Sequence, residues 1–225
     1  MGSHRTSVIV PVFNGENFLE HALQSVLQQS EACQEIIIVD DGSTDRTPDI
    51  AQKFCLNPKT RYVRQENAGH AAALNTGLSL VQGDLVAFID HDDLWMPQKL
   101  ALQTELLQNN PRVDLAFTEM QNFADGEGAA GLKFSTAQMV GYMPGTMIVR
   151  KHVLHLLGGF DQSLRKGFFL PWFKRLKTSG LAMRVIPELL YKRRIHGGNT
   201  AICGQQADYG DYFAAIRKAR AEPSL

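Results

Sequence analysis

Cysteine is scarce in this chain. Cys33, Cys55 and Cys203 are all it has in 225 residues. So few thiols, odd in number and far apart, exclude a disulfide framework and a zinc-ligand pattern, and fit a reducing compartment. Long apolar runs are missing as well. "SVIVPVF" and "LVAFI" fall far short of the roughly 20 residues that span a bilayer. Neither sign of charge is in excess: Lys plus Arg and Asp plus Glu each number 23. No global field therefore draws nucleic acid or an anionic membrane. Any phosphate bound here needs a local device. Two such devices are absent, since neither G-x-G-x-x-G nor G-x-x-x-x-G-K occurs, and hydride transfer and P-loop phosphoryl transfer are disfavoured. The opening "MGSH" reads as a cloning remnant, no signal peptide follows it, and a cytoplasmic location is expected.

What is present is an alternation of strand and helix patterns. Strands are expected over 7–13, 35–40, 61–65, 84–90 and 113–118. Between them lie helical patterns. Residues 17–29 put Leu19, Leu23, Val26 and Leu27 on one stripe. Thr47 is a candidate cap, and Pro48 suits a first helical turn. Helices are also expected over 70–81 and over 97–110, the latter opened by Pro97. Strands apolar on both faces and separated by helices imply an α/β fold with a mostly parallel central sheet flanked by helices. The second half is less regular. A mobile Gly- and Ala-rich loop is expected over 121–138, a strand over 145–150, a helix over 171–180, a strand broken at Pro187 over 182–196, and a C-terminal helix within 206–222.

Ligands of parallel sheets sit beyond the strand C-terminal ends. That rim collects Pro11 and Phe13, Asp40 and Asp41, Asp90 to Asp93, and Glu119. Asp90 and Asp92 are two apart, so in an extended segment they face one side. Two carboxylates on one side suit Mg²⁺ or Mn²⁺. A solvated acidic turn ahead of the helix near Pro97 fits the same residues. In "VDDGSTD" one aspartate can accept a hydrogen bond from the imide N–H of a base such as uracil, and the other can cap the Gly42–Ser43 turn. A purely structural Asx turn fits too. The Phe13 ring can stack on a base or pack on the sheet.

Together the stretches "SVIVPVFNGENFLEHALQSVLQQ", "IIIVDDGSTDRT", "NAGHAAALNTGL", "FIDHDDLWMPQKL", "MPGTMIVRKHVLHLLGGFD" and "RRIHGGNT" resemble glycosyltransferase family 2. The resemblance runs over roughly residues 6 to 200, with four spaced motifs in order. It implies the GT-A nucleotide-sugar transferase fold, a UDP-sugar donor, Mn²⁺ or Mg²⁺, and inverting transfer to an unknown glycan, lipid or peptide acceptor. Residues 5–120 would form the nucleotide-sugar-binding half and 121–225 the acceptor-binding half of one domain. The implied donor site comprises Pro11, Phe13, Asn14, Glu16, Asp40, Asp41, Asn67, Asn75, Asp90 and His91. Within it Pro11 and Phe13 border the base, Asp40 reads uracil and Asp90 lies near the ribose. The implied metal ligands are Asp92, Asp90 and His196, and Asn199 orders the "HGGN" turn. Nucleic acid is not an expected partner, and a homodimer is left open.

One departure from the family pattern matters. After "GGFD" the family usually carries an acidic pair before a W-x-x-R helix start. Here Phe168 and Phe169 stand in the acidic positions and Pro171 in another, while Trp172 and Arg175 keep the frame. Inverting transfer needs a base within about 3 Å of the acceptor hydroxyl, and phenylalanine is none. A different carboxylate can serve, with Glu119 the first candidate and Asp161 the second. Alternatively the chain binds a nucleotide sugar and turns it over poorly, or an acid has been replaced there. The aromatics over 168–173 could also form an apolar acceptor platform.

Overall fold

A computed structural model describes residues 5–124, 129, 132–199 and 215–218. β1 (Thr6–Val12) is buried along its whole length. It lies between β2 (Glu35–Asp40) and β4 (Leu85–Phe88), and β3 (Thr60–Arg64) extends the sheet beyond β2; all three pairings are parallel. Side chains alternate across a strand, so these strands feed two cores. Val8, Val10, Ile36, Ile38, Leu85 and Ala87 join one cluster with α1 (Leu19–Leu27) and α4 (Lys99–Asn109). Ile9, Ile37, Val39, Val86 and Phe88 join the other with α3 (His70–Leu80). Each fully buried Val, Ile or Leu contributes about 1.5–3 kcal/mol relative to exposure. That is why the runs are apolar throughout rather than alternating.

The remaining strands complete one nine-stranded sheet of order β3-β2-β1-β4-β8-β6-β9-β5, with β7 paired to β6. They are β5 (Leu94–Trp95), β6 (Leu115–Ala124), β7 (Met139–Val140), β8 (Ile148–Arg150) and β9 (Met183–Ile195). The first half is parallel, as its strand–helix alternation predicts, whereas β8 runs antiparallel to both β4 and β6. β6 and β9 pair in parallel with register shifts on both sides of Glu119. Pro187 falls in the first shift, between the pairs Thr118–Ile186 and Glu119–Leu189. Proline donates nothing to a ladder, so the strand bulges there and continues instead of breaking. α5 (Lys151–Leu157) and α6 (Phe169–Thr178) cover the α3 side of the sheet. α2 (Thr47–Phe54) packs beside α1. Among the described residues no helix is long and apolar enough to cross a membrane.

Several local expectations change. Leu27 is exposed; Ala22 completes the buried stripe of Leu19, Leu23 and Val26. Thr47 is the first helical residue and does not cap: its hydroxyl accepts the Gly15 N–H, while Asp45 accepts the Thr47 N–H. The loop expected from 121 is strand up to Ala124, and Gln121 and Asn122 hold the returning carbonyls of Thr136 and Ser135. Residues 125–128, 130 and 131 of that stretch lie outside the described residues. So does most of the expected C-terminal helix; residues 215–218 of it are helical.

Candidate functional site

The loops after β1 and β2 are laced together at the C-terminal edge of the sheet. Asn14 has a positive φ of 51°, a conformation asparagine tolerates because its short amide bonds locally. Its amide oxygen accepts the Thr44 N–H at 2.8 Å, and its own N–H donates to Ser43 Oγ at 2.9 Å. Glu16 accepts Arg46 Nε at 3.1 Å. Phe13 stands out of this scaffold with 45% of its surface exposed, while Pro11 is buried within β1. Beneath the rim, Asp40 is fully buried. Its carboxylate accepts the Ser43 N–H at 2.8 Å and the Tyr62 hydroxyl at 2.6 Å. Asp41 accepts Gln65 Nε2 and the N–H groups of Ala68 and Gly69, just ahead of α3. Both aspartates therefore order loops, and Asp40 makes the turn-capping bond to Ser43.

The acidic stretch is a turn and not an extended segment. β4 stops at Phe88, and the Asp93 N–H closes back on the Asp90 carbonyl at 3.1 Å. Three like charges at a strand end repel, and a turn lets each find separate partners. The turn still brings one carboxylate oxygen of each of Asp90, Asp92 and Asp93 within 4.8 Å of one another. An all-oxygen donor set of this kind fits a hard divalent cation. Asp92 accepts His196 Nε2 and Asn199 Nδ2, each at 3.1 Å. Burial works to raise its pKa, but the His196 hydrogen bond and the nearby His91 hold it down to about 2. Asn199 also accepts the His196 N–H at 2.6 Å, ordering the turn that carries this histidine. His91 packs on Gly15, where any Cβ would lie 2.7 Å from the imidazole. The acid turn therefore touches the loop that carries Phe13 and Asn14.

Asp93 plays a different part. It is buried and accepts the Tyr191 hydroxyl at 2.5 Å and the Arg194 N–H at 2.7 Å. Arg194 Nε donates to the Asp92 carbonyl at 2.7 Å, and its guanidinium lies 4.9 Å from the centroids of both Phe18 and Phe123. Burial, then Asp92 and Asp90, push the Asp93 carboxyl well above the ordinary range. Asp93 thus fastens β9 to the acid turn. Tyr191→Phe removes one hydrogen bond to a buried acid and will cost about 1.5–3 kcal/mol, read from urea denaturation. A loss below about 0.5 kcal/mol would show that the contact does not hold the turn.

His70, at the start of α3, lies with Nε2 3.2 Å from Asp90. Loss of solvent lowers its pKa, and Asp90 more than reverses this, leaving it raised. Its ring packs 5.0 Å from Phe168, so a residue standing where the family pattern has an acid reaches the neighbourhood of Asp90. Asn67 accepts Arg165 Nη1 at 3.1 Å. Asn75 does not join this group. Its amide is spent on the Phe160 main chain, at 2.7 and 2.9 Å, and it lines a separate cavity of about 350 Å³ with α5 residues. Asp161 is tied to Lys218 at 2.5 Å and to Ser163. Burial favours its neutral form, and these bonds outweigh it, lowering its pKa. Glu119 accepts Gln138 Nε2 at 2.5 Å at the β6 register shift. Sequence reasoning missed His70, Tyr191 and Arg194 as site residues. The position of His70 behind "NAG" at a helix start was a usable signal. Nothing local separates Arg194 from Arg193.

Comparison with known proteins adds three kinds of likeness. The family model of glycosyl transferase family 2 matches residues 7–169. The chain is 29% identical to an uncharacterized glycosyltransferase of Rickettsia prowazekii, over 94% of itself and 71% of that protein. It is 38% identical to the glycosyltransferase GlyA of Streptococcus pneumoniae over 55% of itself, but only 18% of that protein. Chondroitin synthase of Pasteurella multocida matches 95% of the chain at 25% identity, yet the chain spans only 23% of it. Among solved structures, TarS residues 1–349 of S. aureus in complex with UDP-GlcNAc superposes with a TM-score of 0.78 at 20% identity, covering 96% of this chain and 65% of that one. The same TarS fragment with UDP gives 0.75 at 19% identity.

Proposed function

The chain belongs to glycosyl transferase family 2, and on that premise we propose that it transfers a sugar from a UDP-sugar to an acceptor, with a divalent cation held by Asp90 and Asp92. The observation that carries this reading is the gathering of Asp90, Asp92 and Asp93 within 4.8 Å beside the laced loops of Phe13 and Asn14. The solved TarS complexes with UDP and UDP-GlcNAc lend support, as proteins of the same fold. Phe13 borders the base, with Asn14 and Glu16 shaping the loop over the buried Asp40 and Asp41. His196 reaches the metal site through Asp92. When bound, Mg²⁺ or Mn²⁺ there neutralises charge on the departing diphosphate. The acceptor oxygen attacks the anomeric carbon in line as its bond to the UDP oxygen breaks, with inversion. The hydroxyl proton passes to a base.

Glu119 is the candidate for that base: it accepts from the neutral Gln138 amide, whereas Asp161 is paired with the Lys218 ammonium and with Ser163, which lower its pKa and make it the poorer proton acceptor. Glu119→Gln will leave UDP affinity unchanged and cut turnover by about 10²–10⁴. Normal turnover would clear Glu119 of the role. A second reading, donor binding with little turnover, is favoured by Phe168 and Phe169: the former packs on His70, and the latter is buried on Trp172. Hydrolysis of UDP-sugars with Mn²⁺, screened donor by donor, separates the two. Turnover of any donor supports transfer, and binding without turnover supports the silent reading.

A further inference from the structure

A patch of aromatic surface stays open beside the candidate base. The antiparallel ladder of β6 and β7 sets Glu119 opposite Val140 and Met120 opposite Met139. Carried two residues back along β6, the same register sets Phe117 opposite Tyr142, and their rings lie 5.3 Å apart. Side chains two apart on a strand share a face. Phe117 and Glu119 therefore stand on one side with Gln138, Val140 and Tyr142, and the hydrogen bond from Gln138 to Glu119 runs along that side. Phe117 is buried against α6, but Tyr142 is 47% exposed and Val140 37%. Phe173 of α6 backs the Tyr142 ring at 5.2 Å.

Two sets of contacts tie this patch to the acid turn. Tyr142 opens the loop in which Gly145 is pressed against Tyr191, leaving no room for a Cβ, and the Tyr191 hydroxyl is the one that bonds Asp93. On the other flank, rings follow one another from Tyr142 through Phe173, Phe169 and Phe160 to Phe168, which packs on His70 beside Asp90. Rings thus replace charge along this flank, since Phe168 and Phe169 stand where the family pattern has acids. An exposed ring bordered by a carboxylate and an amide has the chemistry to take a sugar. The negative face of an aromatic ring attracts polarised C–H groups, and a pyranose has such a C–H face. Its hydroxyls need hydrogen-bonding neighbours of the kind Glu119 and the exposed Gln138 offer. An acyl chain would cover both polar groups and give them no partner in return.

We propose that the acceptor is a saccharide whose pyranose ring stacks on Tyr142 with a hydroxyl turned toward Glu119, an assignment that rests on the reading of the chain as a sugar transferase. Saturation-transfer NMR of the full chain with cellotetraose, maltotetraose, chitotetraose and a chondroitin tetrasaccharide, in the absence of UDP and metal, tests it. At least one of them is expected to bind, with saturation reaching its ring C–H protons. Tyr142→Leu keeps apolar bulk without the ring and will weaken that binding about tenfold, whereas Tyr142→Phe will retain it. Both variants keep the wild-type thermal midpoint and the wild-type affinity for UDP with Mn²⁺. Absence of saccharide binding, or equal binding by Tyr142→Leu, overturns the proposal, and intact UDP binding in that case leaves the donor reading standing. So does ring-dependent binding of farnesyl phosphate in place of every saccharide, which would make the face a lipid site. Ring-dependent saccharide binding by a chain that takes no UDP supports the Tyr142 site and sinks the donor reading instead.

Discussion

Asp92→Ala will lose metal-dependent UDP binding, with the affinity measured by calorimetry in Mn²⁺ falling at least about 100-fold. The reason lies in how the carboxylate is prepared. His196 and Asn199 each reach it at 3.1 Å, and its pKa is held down to about 2, so it is ionised at any working pH. It has the smallest side chain able to offer an anionic oxygen at that point of the turn, and alanine supplies none. Asp93 cannot take over, because its oxygens already accept from Tyr191 and Arg194. Asp92→Asn distinguishes charge from shape. It keeps the contacts to His196 and Asn199 in outline while weakening the cation. Unchanged UDP affinity in Asp92→Ala would remove the metal site from this turn.

Trp172→Ala will destabilise the fold by about 3–5 kcal/mol, a large share of the 5–15 kcal/mol typical of a domain. Trp172 is fully buried, with ring centroids 5.4 Å from Phe169 and 5.7 Å from Phe160. Its indole N–H satisfies the Gly158 carbonyl. Removing it leaves a cavity under α6 and an unpaired carbonyl at the end of α5. The loss shows as a lower urea midpoint, and Trp172→Phe recovers most of the packing but not the hydrogen bond. A loss under about 1 kcal/mol would mean that α6 is not anchored through this residue.

The sequence by itself determined the first half of the fold and the edge of the sheet at which the acidic residues gather. Strands such as "SVIVPV" and "EIIIVD" need apolar groups on both faces because helices cover both, and that pattern is local enough to read. The rim followed from the same rule, since polar residues at the ends of apolar strands have one edge on which to meet. Motif spacing made the family legible, and Trp172 with Arg175 remained readable even where Phe168 and Phe169 broke the pattern. A cap on the Gly42–Ser43 turn was readable locally, but tertiary structure decided which aspartate makes it and what the other polar groups do. Asp40, Asp41, Asp92 and Asp93 are the same side chain in similar acidic stretches, yet Asp40 caps a turn, Asp41 orders the approach to α3, Asp92 faces His196 and Asp93 fastens β9. The partners that set these roles lie 3, 28, 104 and 101 residues away. A hydrogen bond acts over about 3 Å in space, so a carboxylate's duty depends on which distant backbone or ring the folded sheet brings to it.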